Sequence, residues 1–110
     1  MGDSTIGGVA GIGVFEFSAL LWEHPGAAGW HFVSVPAEIS DDIADLTGGT
    51  RRGFGSVRVT VTVGSTIWQT SVFPDSKTGT YVLPMKKPVR TAEDLQAGAD
   101  VEVRLEIIDE

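Results

Sequence analysis

The clearest periodicity in the chain lies in SVRVTVTVGSTIWQTSVF, residues 56–73. Val57, Val59, Val61 and Val63 alternate with Arg58, Thr60 and Thr62. A period of two in β-branched residues belongs to a strand with one buried face. Gly64-Ser65 then suits a two-residue type II′ turn, and Thr66 to Phe73 forms the return strand of a hairpin. Directly opposed residues share a face, so the valines meet either Ile67 or Trp68, according to register.

Val14 to Trp22 alternates as well, with Phe15, Phe17, Ala19 and Leu21 on one side and Glu16 and Ser18 on the other. The loop EHPGAAG follows, and its His24-Pro25-Gly26 is a turn signal. Trp30 to Val35, WHFVSV, starts a second strand. In residues 36–46, PAEISDDIADL, the period changes. Ile39, Ile43 and Leu46 recur at helical spacing, Pro36 sets the entry, and the early acids suit the positive end of the helix dipole. Residues 47–55, TGGTRRGFG, read as a flexible connection. Beyond the hairpin, PDSKTG is a turn and Thr80 to Leu83 a short strand that Pro84 ends. Pro88 fits the first turn of a second short helix, with Val89, Ala92 and Leu95 facing inward. Gly98 permits a turn with positive φ, and Val101 to Ile107 is the last alternating strand.

Six short strands and two short helices avoid exposed strand edges most simply by closing. The expected architecture is mainly β: a closed six-stranded barrel whose ends the two helices plug. Length agrees, since 110 residues make one domain with one modest core. The domain is expected over residues 13–110, with residues 1–12 a loosely held tail of small side chains.

Composition narrows the function classes. Eight basic against fifteen acidic residues give a net charge of −7, which repels phosphate backbones and opposes nucleic-acid binding. The chain has no cysteine, which removes disulfides, thiol catalysis and cysteine metal sites. His24 and His31 are too few for an ordinary zinc site, and no metal or cofactor is expected. No apolar run approaches a membrane span, and the start, with Asp3 and no basic segment, reads poorly as a signal peptide. A cytoplasmic protein is expected.

The ordered motifs resemble a known family. They are Phe17-x-Ala19-x-Leu21, Gly29-Trp30-x-Phe32-Val33-x-Val35-Pro36, Tyr81-x-Leu83-Pro84, Lys87-x-x-Arg90, and Gly98 before the closing strand. Together they resemble the bacterial family of domains of unknown function numbered nineteen-oh-five, over about Val14 to Asp109. The resemblance implies a closed six-stranded Greek-key barrel and no particular activity. Some members carry a helical domain after the barrel, and none is expected within this chain. Two positions depart from the pattern: Asp94 stands where the family favours glycine, and Gly98-Ala99 replaces its Gly-Asp, with Asp100 one step later. The segment LPMKKPVRTAEDLQAGADVEV is also similar, locally, to the half-barrel of AbrB-type transcription factors.

Candidate chemistry gathers on loops. Lys86, Lys87 and Arg90 are three of eight basic residues in an acidic chain, and Lys87 and Arg90 are spaced to share a helix face. They suit a carboxylate or phosphate. The plainer alternative is a solvated loop with Arg90 paired to Glu93 or Glu38. Arg51 and Arg52 join the patch only if the loops converge. Among the tryptophans, Trp30 heads an apolar strand and is expected in the core. Trp68 is exposed if it lies opposite the valine face, and a dimer contact then follows. Either tryptophan would supply apolar contact to a ligand. His31 is a general-base candidate only with a carboxylate in reach. The paired carboxylates Asp41-Asp42 and Glu93-Asp94 read as solvated helix surface.

Three functions follow. The preferred one is a noncatalytic barrel, monomer or homodimer, that binds an anionic small ligand or a protein partner through Lys86, Lys87, Arg90, Trp30 and Trp68. The alternatives are a hydrolase or isomerase using His31, and an AbrB-like DNA-binding dimer, which the net charge opposes.

Overall fold

A computed structural model of the chain describes residues 13–47 and 55–108. They contain β1 (Val14–Glu23), β2 (His31–Ser34), α1 (Ala37–Leu46), β3 (Val57–Val63), β4 (Thr66–Asp75), β5 (Thr80–Pro84), α2 (Lys87–Ala92) and β6 (Asp100–Ile107). The tail expected at residues 1–12, together with Arg51 and Arg52, lies outside the described residues.

All six strands pair antiparallel into a closed barrel in the order β1-β2-β5-β4-β3-β6. Three consecutive neighbours (β3, β4, β5) followed by β6 returning beside β3 is a Greek key. Closure depends on two long strands that change partner midway. β1 pairs with β6 from Val14 to Leu20 and with β2 from Leu21 to Glu23. β4 pairs with β3 from Thr66 to Val72 and with β5 from Phe73 to Asp75. Each therefore belongs to both halves of the barrel.

Period-two alternation fills the interior. Val57, Val59, Val61, Val63, Val101, Val103 and Leu105 are buried, and Phe15, Phe17 and Ala19 pack against them. In the hairpin Val61 faces Trp68 and Thr62 faces Ile67. Trp68 accordingly points inward and packs on the core, while Ile67 is exposed on the outside. Gly64 adopts φ 59°, as the first central residue of a type II′ turn requires. A Cβ there would also meet the Glu93 carboxylate, which accepts a hydrogen bond from Thr66 Oγ1 at 2.6 Å.

The connections β2–β3 and β5–β6 skip barrel neighbours, so each must cross an end of the cylinder, and each carries a helix. On α1 Ile43 is fully buried and Ile39 packs on the core, but Leu46, expected on the same stripe, is exposed. On α2 Val89 is buried and Leu95, just past the helix, packs on the core. Ala92, expected inward, is exposed, because the six-residue helix turns only one buried side chain to the barrel. At the α1 end β1 starts beside the finish of β6, with Ile107 N donating to Gly13 O at 3.1 Å.

Ser40, the one buried polar residue described, replaces a rung of the sheet. The β2–β5 register of Phe32↔Pro84, Val33↔Leu83 and Ser34↔Val82 leads next to Val35 and Tyr81. Val35 N donates to Tyr81 O at 2.9 Å, but the reciprocal bond runs through α1. Tyr81 N donates to Ser40 Oγ at 3.0 Å, and Ser40 Oγ donates to Val35 O at 3.2 Å. Helix and sheet thus share one hydrogen-bond chain.

The closing turn explains how Asp94 stands where the family pattern favours glycine. Leu95 N donates to Arg90 O at 2.8 Å and Asp94 N to Thr91 O at 3.2 Å, the two bonds of a Schellman motif. The donor of the second bond, at C′ of the motif, must be left-handed, and Asp94 has φ 56°. Glycine is the least strained choice there, and aspartate is among the better tolerated alternatives. Gly98, at φ 96°, and Ala99 continue the β1–β6 ladder, with Gly98 N to Leu21 O at 2.8 Å and Leu21 N to Ala99 O at 2.9 Å.

Two stability measurements follow. Ser40→Ala leaves the Tyr81 amide and Val35 carbonyl unbridged and should cost about 1–3 kcal/mol in urea unfolding, with faster hydrogen exchange at Tyr81. An unchanged midpoint and exchange rate would show that the hydroxyl contributes nothing. Asp94→Gly relieves the left-handed strain and should stabilise the chain by up to about 1 kcal/mol in the same assay.

Candidate functional site

The outside of the barrel has two unlike halves. Over β3, β6 and the first half of β1 the outward positions are Arg58, Thr60, Thr62, Glu102, Arg104, Glu106, Glu16 and Ser18. This half carries a shallow groove of about 520 Å³, in which Arg104 Nη1 donates to Glu16 Oε2 at 3.4 Å.

The other half is apolar. Register across β1, β2, β5 and β4 sets its outward residues in three rows. In the middle row Trp22 stands beside Phe32, and Phe32 beside Pro84. One step toward α1, Leu20 and Ser34 lead to Val82 and then Phe73. One step toward α2, His24 N donates to Trp30 O at 2.8 Å, and past Met85, whose N donates to His31 O at 2.9 Å, the chain continues to exposed Lys86. The rings touch: centroids lie 5.2 Å apart for Trp22–Phe32, 6.2 Å for Trp30–Phe32 and 6.4 Å for both Trp22–His24 and His24–Phe32. Trp22 Nε1 is satisfied by Ser34 Oγ at 3.0 Å. Several large side chains stay open to water: Trp30 is 61% exposed, Leu20 57% and Phe73 44%. Contiguous exposed apolar surface of this kind marks interaction sites on soluble proteins.

Trp30 is therefore not a core residue. Alternation along β2 turns Val33 inward, and this places Phe32 and Trp30 outside. Trp68 takes no part in this face, because its register with Val61 directs it into the barrel. Trp22 stands with Trp30 and Trp68 among the aromatics that the sequence offers for a pocket mouth or interface, whereas Leu20, Phe32, Phe73 and Pro84 do not stand out there as site residues. The signal was present in SALLW and WHFV, where apolar residues fall on both faces of the strand instead of alternating with polar ones.

The basic residues divide. Lys86 and Lys87 are exposed, and among the described residues neither lies within ion-pair distance of a carboxylate. Arg90 pairs with neither Glu93 nor Glu38. Its Nε donates to Met85 O at 3.0 Å and its Nη2 to Gly29 O at 3.5 Å, so it fastens α2 to the loop that carries Trp30. Gly29 O also accepts from His31 Nδ1 at 3.1 Å, and Gly29 N donates to Glu23 Oε2 at 3.0 Å. The carbonyl acceptor assigns the proton to Nδ1 in neutral His31. Its Nε2 is 4.0 Å from Glu23 Oε1, beyond hydrogen-bond reach, and the side chain is 11% exposed. Glu23, Gly29, His31 and Arg90 thus form one network that fixes the position of Trp30. Among the described residues no group of three or more His, Asp or Glu side chains is placed to hold a metal ion, and no helix is long and apolar enough to cross a membrane.

Arg90→Ala should cost about 1–2 kcal/mol by removing charge-assisted bonds from a partly exposed site. Arg90→Lys should recover less than half of the loss, because an ammonium cannot reach two divergent carbonyls with a planar fork. Chemical unfolding of the three chains measures this, and equal stability of all three would remove the latch.

No curated protein compared with the chain matches it. Residues 17–105, which include β2 to β5, both helices and all of the outer apolar face, match the model of the family described as Domain of unknown function (DUF1905), and the chain belongs to that family.

Proposed function

We propose that this domain is a noncatalytic binding module that docks a protein partner on its outer aromatic face. The observation that carries the reading is the three-row apolar surface of β1, β2, β5 and β4, open to water at Leu20, Trp30 and Phe73 and bordered by Lys86. Tryptophan, with its large area and few rotatable bonds, is the residue type that most often dominates binding energy at such surfaces. The expected partner presents aromatic or aliphatic side chains beside a carboxylate. The apolar groups would cover Trp30, Phe32 and Phe73, and the carboxylate would meet Lys86 and Lys87 at the edge, where charge steers association and fixes register. Arg90, with its guanidinium committed to Met85 O and Gly29 O, acts by positioning Trp30. The anionic contact expected of the basic cluster thus narrows to the two lysines.

A random peptide library displayed on phage, selected against the whole chain, tests this. Enriched peptides should combine apolar side chains with Asp or Glu, and Trp30→Ser should weaken them by about tenfold or more. No enrichment, or peptides indifferent to Trp30→Ser, would count against the docking face.

A further inference from the structure

The ends of the aromatic face carry opposite charge. At the α2 end lie Lys86 and Lys87, both exposed, just past the Met85 N–His31 O bond. The acids at that end are Glu23, which accepts from Gly29 N, Glu93, which accepts from Thr66 Oγ1 at the β3–β4 turn, and exposed Asp94 beyond α2. At the other end β2 runs into α1, whose ten residues include Glu38, Asp41, Asp42 and Asp45, all exposed, and no basic residue. Asp75 finishes β4 at that end, and Lys77 in the next turn offsets one of these charges.

A surface that is apolar in the middle, basic at one end and acidic at the other complements its own reverse. Resting on the docking reading above, we infer that the occupant of this face is a second copy of the chain, turned end for end. The two-fold axis runs across the strands at the level of Trp22, Phe32 and Pro84. A closed symmetric pair requires this self-complementarity, in which every contact occurs twice. Reversal keeps the middle rows together and exchanges the outer ones. The His24–Trp30 row then lies on the partner copy's Leu20–Ser34–Val82–Phe73 row, and Trp30 gains apolar cover at both ends of the interface. Lys86 and Lys87 project past that row toward the acids of the facing α1. In the opposite, unreversed arrangement lysines would face lysines and α1 would face α1, and like-charge juxtaposition opposes that register. The four acids of α1 are exposed, and among the described residues none is in an ion pair.

Sedimentation velocity of the whole chain, from micromolar to hundreds of micromolar, gives the test. The wild type should be a reversible dimer that weakens as salt rises, since rim charges are screened. Trp30→Ser should raise the dissociation constant about tenfold or more. A charge-swap pair makes the register specific. Lys86→Glu with Lys87→Glu, and separately Glu38→Lys with Asp41→Lys, should each be monomeric alone and form a heterodimer when mixed. All four substituted positions are exposed, so folding is preserved, and circular dichroism checks it. A monomeric wild type across the range overturns the inference, as does a dimer unaffected by Trp30→Ser or a charge-swap mixture that fails to associate. If the wild type is monomeric but selected peptides still need Trp30, the second copy is ruled out and the docking face stands. If both fail, both are overturned.

Discussion

Ring closure is the constraint on which the rest of this structure depends. Six antiparallel strands leave no open edge only if the first and last ladders meet, and here β1 and β4 achieve that by serving two partners each. A strand shared between two ladders must bend where it changes partner. Those changes fall at Leu20–Leu21 and at Val72–Phe73, close to where the outside of the barrel, polar but for Ile67, gives way to the apolar one. The geometry that closes the cylinder therefore also divides its surface.

Closure dictates the helices as well. A Greek-key order forces two connections across the ends, and each end needs an apolar plug, supplied by Ile43 and Val89. Neither helix depends on intrinsic propensity alone. α2 has six residues and starts on Lys86-Lys87-Pro88, too short to persist by itself in water. It is held by Val89, by the Arg90 bonds to Met85 and Gly29, and by Glu93 on the hairpin turn. α1 is tied to the sheet by the Ser40 hydroxyl chain. The polar contacts at the barrel ends are thus bonds between elements, and they locate Trp30 as a by-product of closing the fold.

Much of this was legible in the sequence. The valine alternation, Gly64-Ser65, Pro36 and the apolar spacing of residues 36–46 determine strands, turn and helix by local chemistry, and a closed barrel follows from having six strands to protect. The inward turn of Trp68 was not legible, because the register of a hairpin depends on which pairs form across the turn, and Ile67 and Trp68 are both apolar. Trp30 reads as a core residue for a related reason. A strand apolar on both faces gives no sign of which face is inside, and the inner face of β2 is set by its pairing with β1 and β5. Arg90 was expected to find a carboxylate, but a guanidinium beside a helix start and a neighbouring loop has backbone carbonyls closer at hand. The outer aromatic face was visible only as a break in alternation at Leu20 and Trp22, and three-dimensional register was needed to join it to Phe32, Pro84 and Phe73.

The hydrogen bond from Ile107 to Gly13 places the first and last strands side by side at the α1 end. The cylinder is thus continuous in space where β1 meets β6, the two strands furthest apart in chain order. A short link from Ile107 to Gly13, with a cut in the exposed turn between β4 and β5, would rearrange the order of the strands without removing any ladder. The native order of strands is one of several routes round the same closed surface, and the barrel's architecture belongs to its pairings more than to the place where its chain begins.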